Sequence, residues 1–358
     1  MANPTWHNIH PDFKLNGATY SREDIVEIGY SLVKEGEDHE ISMGDFLLDW
    51  VSERPTLEVL TSGSTGKPKK IQLQKEHMVN SALATGSFFK LAPKNTALLC
   101  LPCSGIAGKM MLVRAMVLGL HLDYVNPSSA PLDNSSRAYD FAAMVPLQVR
   151  QSISNLSRIK KLIIGGAPVD SILKEELSKS GIPAYETYGM TETITHVAVK
   201  ELAPDPKSYF ETLPDVSVTI DKRGCLVIDA PNVSDSKIVT NDLVKLISDN
   251  QFTWLGRFDS IINSGGIKLV PEQIEAKLSD LITNRFFVAG VADVTLGQKL
   301  VLILEGQHKN PNVLLEEIKS ANALSKYEVP KAVYFVKSFV ETPTKKIDRE
   351  KTMEGLFS

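Results

Sequence analysis

Residues 161–188 read KLIIGGAPVDSILKEELSKSGIPAYETY, and the order of signals within them decides the fold class. Lys161 to Ile164 is a compact apolar run that stops at Gly165-Gly166. From Asp170 to Ser180 the apolar residues Ile172, Leu173 and Leu177 fall on one helical face, and Gly181 ends the segment. Ile182 to Tyr188 turns apolar and β-prone again. Strand, helix and strand at this spacing predict a parallel sheet, and open parallel sheets take ligands beyond the carboxyl ends of their strands.

Upstream, SREDIVEIGYSLVKEG predicts a helix capped by Ser21 with Asp24 three residues on, and Ile25, Ile28 and Leu32 on its buried face. Met43 to Glu53 reads as a second helix, Pro55 closes it, and Leu57 to Leu60 is a short strand. Downstream, VSVTID and CLVIDA flank Lys222-Arg223-Gly224 as a hairpin. After Arg257 the pattern restarts: helix Pro271 to Leu281, strands Phe286 to Val291 and Leu300 to Leu304, helix Asn312 to Ser320, strand Ala332 to Val336. That unit of about 100 residues has the size of a domain. The expected division is residues 1–257 and 258–358, with the boundary near Gly256 to Ser260.

The chain has 358 residues, with 39 Lys and Arg against 43 Asp and Glu. A formal net charge of −4 argues against a dedicated nucleic-acid binder, which carries a basic excess to displace counterions. The most apolar stretch, Met110 to Leu122, is broken by Arg114 and too short to cross a bilayer. The opening MANPTWHNIHPDFK lacks the basic-then-apolar order of a secretion signal, and 3 cysteines do not make a disulfide framework. The expectation is a cytoplasmic protein with no membrane span.

Between the strand at Leu57–Leu60 and the next element lies Thr61-Ser62-Gly63-Ser64-Thr65-Gly66-Lys67-Pro68-Lys69-Lys70. Glycines let backbone N–H groups converge on an anion, hydroxyls add donors and lysines add positive charge, which together outline a polyphosphate cradle. It is not a Walker loop: Thr61 stands where that motif has its first glycine, and Pro68 follows Lys67 where a helix would open. A Gly/Ser/Thr surface linker is the plain alternative. Cys100-Leu101-Pro102-Cys103 has metal or redox spacing but lacks a second pair, so packing is the better reading, and His77 reads as structural.

TSGSTGKPK resembles the phosphate-binding loop of the adenylate-forming enzymes, which include acyl- and aryl-CoA ligases, luciferases and peptide-synthetase adenylation domains. Further motifs follow in that family's order. Tyr188-Gly189-Met190-Thr191-Glu192 resembles YGxTE, and Thr240-Asn241-Asp242 a TGD element with Asn241 for glycine. Gly256-Arg257-Phe258-Asp259 with SIINSGGIK resembles GRxD…SGGxK; Pro343 to Arg349 resembles PTGKIxR with Lys345 for glycine. The resemblance spans residues 61–349.

The resemblance implies a large N-terminal α/β domain, here lacking most of the usual N-terminal subdomain, and a small mobile α+β C-terminal domain. It implies ATP, Mg²⁺ and coenzyme A as cofactors and a small carboxylic acid as substrate. Thr61, Ser62, Gly63, Ser64, Thr65, Gly66, Lys67 and Lys69 would hold the β- and γ-phosphates. Gly165, Gly166 and Ala167 would border the base with Thr187, Tyr188, Gly189 and Met190, Tyr188 lying against adenine. Thr191 would meet the α-phosphate, Glu192 the metal, Asp242 the ribose, and Arg257 would add charge. Lys346 would bridge the acid's carboxylate and the α-phosphate, with Lys345 the alternative. Asp259 would be the hinge, and Ser264, Gly265, Gly266 and Lys268 would come towards the CoA arm.

Within the family, the shortness of the chain and GGAPV…YETYGMTETITHVAVK most resemble the 2-succinylbenzoate–CoA ligases of menaquinone biosynthesis. The acid pocket would then take donors from Ser104, Gly105, Lys109, Thr195 and His196, although His196 is equally read as a strand residue packing beside Val197. Ligation of another aryl or acyl acid, a stand-alone module loading a carrier protein, and a non-catalytic nucleotide-binding protein stay open. So does homo-oligomerisation.

Overall fold

The computed structural model describes residues 4–60, 69–133, 136–306, 310–342 and 347–357. By contacts the chain divides into two units. The first holds residues up to Val218 together with Ile228–Ile238 and Ser248–Phe252; the second holds Thr219–Val227, Val239–Ile247 and everything from Thr253 onwards.

In chain order the first unit opens with the short strands β1 (Lys14–Leu15) and β2 (Ala18–Thr19), then helices α1 (Arg22–Glu35) and α2 (Asp38–Val51). The capping box at Ser21 forms: Asp24 N–H donates to the Ser21 hydroxyl at 3.2 Å, and Ser21 N–H to the Asp24 carboxylate at 2.7 Å. α2 begins five residues before the expected Met43, because Glu40 accepts the Glu37 N–H at 2.9 Å and acidic side chains favour a helix's first turn.

The ribbon β3 (Thr56–Leu60) and β4 (Lys70–Gln74) follows, then α3 (Lys75–Phe89), β5 (Thr96–Leu99), α4 (Ile106–Leu118), β6 (His121–Tyr124), β7 (Phe141–Met144) and α5 (Pro146–Gln151). Next come β8 (Leu162–Ile164), α6 (Ser171–Ser180), β9 (Ala184–Gly189), β10 (His196–Ala203) and β11 (Phe210–Thr212).

The strand–helix–strand reading holds. β5, β6, β7, β8 and β9 pair in parallel, in the spatial order β9–β8–β7–β5–β6, while β10 and β11 add antiparallel strands beyond β9. Asp170 caps α6 by accepting the Leu173 N–H at 2.8 Å, and Gly181 ends it in the left-handed conformation. Leu173 and Leu177 of α6 share a core with Leu162, Ile164, Ala142 and Met144 of the sheet. α4 is apolar on every face but for Lys109 and Arg114, and it packs against α3 and β5. Among the described residues no helix is long and apolar enough to cross a membrane.

A charge is interred at the start of α3. Lys75 is fully buried, its ammonium 4.3 Å from the Trp6 ring centre and donating to Ser52 O at 2.8 Å. Burial, reinforced by Arg22, pushes it down to about 8 from the usual 10.5. The unfolded chain therefore holds a proton the folded chain lacks between pH 8 and 10.5, so this group's penalty is full below 8 and fades as pH rises through that window. Lys75→Met is expected to gain about 1–3 kcal/mol at pH 7, with the gain over wild type closing towards pH 10.5 in urea titrations. A pH-independent difference would contradict this.

The strands β12 (Ser217–Ile220), β13 (Cys225–Asp229), β14 (Ile238–Ser248) and β15 (Gln251–Arg257) lie in sequential order, their residues divided between the units. The remaining elements belong to the second unit: β16 (Ile262–Ser264), β17 (Ile267–Leu269), α7 (Pro271–Leu278), β18 (Phe286–Asp293), β19 (Gly297–Glu305), α8 (Pro311–Ser320), β20 (Ala332–Val336) and α9 (Arg349–Phe357).

β19 is the centre of that unit, antiparallel to β18 and parallel to β20. Its side chains alternate between two cores, as a strand's two-residue period requires. Leu300, Leu302 and Leu304 meet Ile274 and Leu278 of α7 and Leu314 and Ile318 of α8. Val301 and Ile303 face Phe287, Phe339 and, from α9, Met353 and Leu356.

Candidate functional site

The loops at the carboxyl ends of the parallel strands come from the segments the sequence singled out. Ile164 ends β8, and Gly165, Gly166 and Ala167 follow; on β9 the strand runs further, to Gly189, before Met190, Thr191 and Glu192. Thr187 ties the two by donating its hydroxyl to Ile164 O at 3.0 Å. A side chain at Gly165 would collide with that hydroxyl, its Cβ falling 2.5 Å from Thr187 Oγ1. At Gly189 a Cβ would lie 2.0 Å from Thr195 O, so the close approach of β9 to the start of β10 demands glycine. Tyr188 packs edge-on against Phe252 at 5.2 Å and beside Phe210 at 5.7 Å.

Between Glu192 and His196 the chain makes a γ-turn. Ile194 sits at φ 65° and ψ −64°, and Thr195 N–H donates to Thr193 O at 2.7 Å. A β-branched residue in that region is strained, and only its surroundings hold it there. Ile194 is buried, and the Thr193 hydroxyl accepts Met190 N–H at 2.9 Å while donating to Thr195 O at 2.6 Å. This staple leaves the Glu192 carboxylate exposed and unengaged among the described residues, and turns Thr195 and His196 inwards.

Inside, those two residues meet a side chain whose part the sequence did not disclose. Arg114 of α4 is 2% exposed, and no carboxylate pairs with it among the described residues. Its Nη2 donates to Thr195 Oγ1 at 3.2 Å and His196 Nδ1 at 3.4 Å; Nε reaches Thr85 Oγ1 at 3.4 Å, and Nη1 finds only the Met111 sulfur at 3.7 Å. Burial lowers the guanidinium to about 10. Burial and the neighbouring guanidinium hold the His196 imidazole well below its ordinary value, so it is neutral. Its hydrogen bonds assign Nδ1 as acceptor and Nε2 as donor to Thr85, which passes its own proton to Ser81 O at 2.9 Å. His196 is thus both a packed strand residue and part of a polar cluster.

A cavity of about 240 Å³ opens on the far side of His196, between α3 residues such as Ser81 and Ala84 and the segments around Leu213 and Val233. Of the other expected pocket residues, Ser104 and Gly105 are exposed at the start of α4. Lys109 is directed at α2, its ammonium 5.3 Å from the Phe46 ring. Cys100 and Cys103 are buried, which pushes both thiols up to about 12, and among the described residues no group of three or more His, Cys, Asp or Glu is placed to hold a metal.

The expected phosphate loop, Thr61 to Lys67, lies outside the described residues, as does Lys346 with Lys345; Lys69 is described and exposed. β3 and β4 pair antiparallel as far as Leu60 and Lys70, and β4 lies against Thr191–Thr193.

In the second unit, Asp242 is buried and accepts the Trp254 indole N–H at 3.2 Å, with Arg257 3.6 Å from the same oxygen. Arg257 also forks onto Asp259 at 2.9 and 3.1 Å, which holds the Asp259 carboxyl below its usual value. Asn241 replaces the family's glycine at no backbone cost, because it sits in an extended strand, where its side chain accepts Arg223 at 2.8 Å. Ser264 and Ile267 pair across a two-residue turn in which Gly265 and Gly266 both have positive φ, and Lys268 is exposed on β17.

The carboxyl edge of the parallel sheet thus carries two glycines too closely approached for any side chain and the outward carboxylate of Glu192, at the place where open α/β sheets take their ligands. The family profile described as AMP-binding enzyme matches residues 51–232. The chain belongs to that family. Among curated relatives, the 2-succinylbenzoate–CoA ligase of Geobacillus sp. (strain WCH70) is 26% identical over 81% of this chain and 66% of its own length. The ligase of that name from Bacillus cytotoxicus is 27% identical over 83% and 69%. The chain thus spans about two thirds of the length of these relatives.

Among solved structures, the acyl-CoA synthetase (AMP-forming)/AMP-acid ligase II-like protein of Dyadobacter fermentans is 38% identical, covering 92% of this chain and 97% of that one, with a TM-score of 0.61. The Bacillus subtilis O-succinylbenzoate coenzyme A synthetase, solved with ATP and magnesium, shares the fold at a TM-score of 0.72 and 19% identity over 93% and 82%.

Proposed function

We propose that the chain is an AMP-forming acid–CoA ligase whose acid carries a second carboxylate, as 2-succinylbenzoate does. The acid's carboxylate oxygen attacks the α-phosphorus of ATP and pyrophosphate leaves; the CoA sulfur then attacks the acyl carbon, AMP leaves and the thiol proton goes to solvent. One anion must approach another, so positioning and fixed positive charge carry the first step.

The observation that carries the substrate class is Arg114. A buried guanidinium with no acidic partner among the described residues costs the fold on the order of several kcal/mol, and an incoming carboxylate is the partner that would relieve it. Thr195, His196 and Glu192 belong to one stapled segment, so an acid anchored at Arg114 lies along the strand edge that bears the nucleotide residues. The curated relatives' name, 2-succinylbenzoate–CoA ligase, fits that chemistry.

The donor set also suits magnesium. Glu192 offers one unengaged carboxylate, and Mg²⁺ usually takes one or two carboxylates, water and substrate phosphates rather than a protein cage. Bound there, the ion would neutralise phosphate charge. Asp242, set by Trp254 and Arg257, would accept the ribose hydroxyls.

The test is CoA-thioester formation with 2-succinylbenzoate, benzoate, straight-chain acids and their dicarboxylic counterparts. Dicarboxylates should exceed their monocarboxylic analogues in kcat/KM by at least tenfold. Equal rates would remove the second carboxylate. Acid-dependent pyrophosphate exchange with the thioester forming only on a carrier protein would make the chain a loading module, and absence of exchange with every acid would leave only a nucleotide binder.

A further inference from the structure

The cavity that His196 shares with α3 belongs wholly to the first unit, and the proposed ligation makes no use of it. Its floor is apolar: Val197 of β10, Leu213 after β11, and Ala230 and Val233 after β13 are all buried. Helix α3 forms one wall through Ser81 and Ala84, and His196 lines the cavity while its Nδ1 accepts from Arg114.

The mouth is tied across. Asn80 Nδ2 donates to Asn232 O at 2.8 Å, and Asn232 Nδ2 donates to Asp215 Oδ2 at 3.2 Å. Chain segments up to 152 residues apart are thereby held around one opening. A rim fastened in this way keeps its shape ahead of any occupant, which is the condition of a small-molecule site.

The chemistry of the lining selects what enters. Ser81 is 2% exposed, and its hydroxyl has no hydrogen-bond partner among the described residues. A buried hydroxyl left unbonded costs free energy, and a turn about the Cα–Cβ bond, which no hydrogen bond restrains, offers it to an occupant. Asp215 is the one charged residue among the described residues of the lining, and the neutral His196 adds no positive charge. An anion would meet a carboxylate at the mouth and lose its hydration over an apolar floor. Carboxylic acids and nucleotides are therefore turned away. An apolar cavity of about 150 Å³ holds benzene, so one of about 240 Å³ has room for two fused rings.

We infer that this cavity binds an uncharged molecule of two-ring size, apolar except for one hydroxyl or carbonyl group that meets Ser81. The ligand is distinct from the acid and the nucleotide, and the inference does not rest on the ligase reading above.

The probe is labelled 2-naphthol, followed by equilibrium dialysis against the full-length chain at pH 7. One molecule should bind saturably per chain, with a Kd of about 1 mM or tighter for a ligand of this size. Ala84→Leu, which fills the cavity from α3 with another good helix former, should weaken binding at least tenfold. Ser81→Ala should weaken it about three- to tenfold, the loss of one hydrogen bond. This nearly isosteric change keeps the test decisive should Ala84→Leu fail to fold. 2-Naphthoate, with the same rings and a charge, should need at least tenfold more than unlabelled 2-naphthol to displace the probe. Pantetheine, the uncharged arm of coenzyme A, should leave it bound.

No saturable binding by wild type, binding unaltered in either folded variant, or equal displacement by 2-naphthoate overturns the assignment. Displacement by pantetheine overturns it as well, and makes the cavity the seat of the thiol arm.

Discussion

Arg114→Met is expected to raise the melting temperature and, in the same variant, to raise KM for the acid at least a hundredfold. Both effects have one cause. The guanidinium is 2% exposed, with Thr85, Thr195, His196 and a methionine sulfur around it and no carboxylate among the described residues. Removing an uncompensated buried charge relieves a desolvation penalty, and methionine fills similar volume in a helix already lined by Met110, Met111 and Met116. A hundredfold in KM is about 2.7 kcal/mol, the size of a charge-assisted hydrogen bond lost without replacement. kcat should change much less, since the contact is made in the ground state as well as the transition state. Thermal scans and thioester kinetics on the same preparation decide it. A lowered melting temperature with unaltered KM would make Arg114 a structural residue. Arg114→Lys should keep part of the affinity, having charge but no fork.

Lys346→Ala is expected to lower acid-dependent pyrophosphate exchange by about 10²–10³-fold while thioester formation from supplied acyl-adenylate survives. The expectation rests on the alignment of Lys346 with the adenylating lysine and on the charge problem of the first step, where a carboxylate approaches a polyphosphate. In the second step the thiol attacks an uncharged acyl carbon and AMP leaves as an anion, so no anion has to be brought up to another. Lys345→Ala is the control, and should cost less than fivefold. Equal loss in both half-reactions would contradict the role, and a larger effect at Lys345 would transfer it.

Local signals carried much of the fold. Ser21 with Asp24, Asp170 before α6 and Gly181 after it act within a single helix turn, so the sequence displays them in full. The alternation of β19 is likewise legible, because a strand between two cores must show it on both faces. The start of α2 was missed because Glu37 to Glu40 carries no apolar periodicity; its signal is electrostatic.

At the candidate site the short motifs could be located, but the contacts between distant residues could not. Arg114 was visible only as an interruption in an apolar run, although a lone arginine in an otherwise apolar helix is itself a sign that something polar waits across the core. Its partners lie at positions 85, 195 and 196, which no local pattern connects. The tie between Asn80 and Asn232 is hidden for the same reason.

The strained turn at Ile194 has a consequence for how such enzymes change diet. Residues 190–196 are spliced so tightly that a residue added or removed there would break the threonine staple and shift Glu192 together with Thr195. On the ligase reading proposed above, new acid preferences would be reached by exchanging side chains on the opposing helix α4, where Arg114 meets Thr195 and His196. Lineages that diversify their substrates should accumulate variation around Arg114 and keep the length of this seven-residue segment constant.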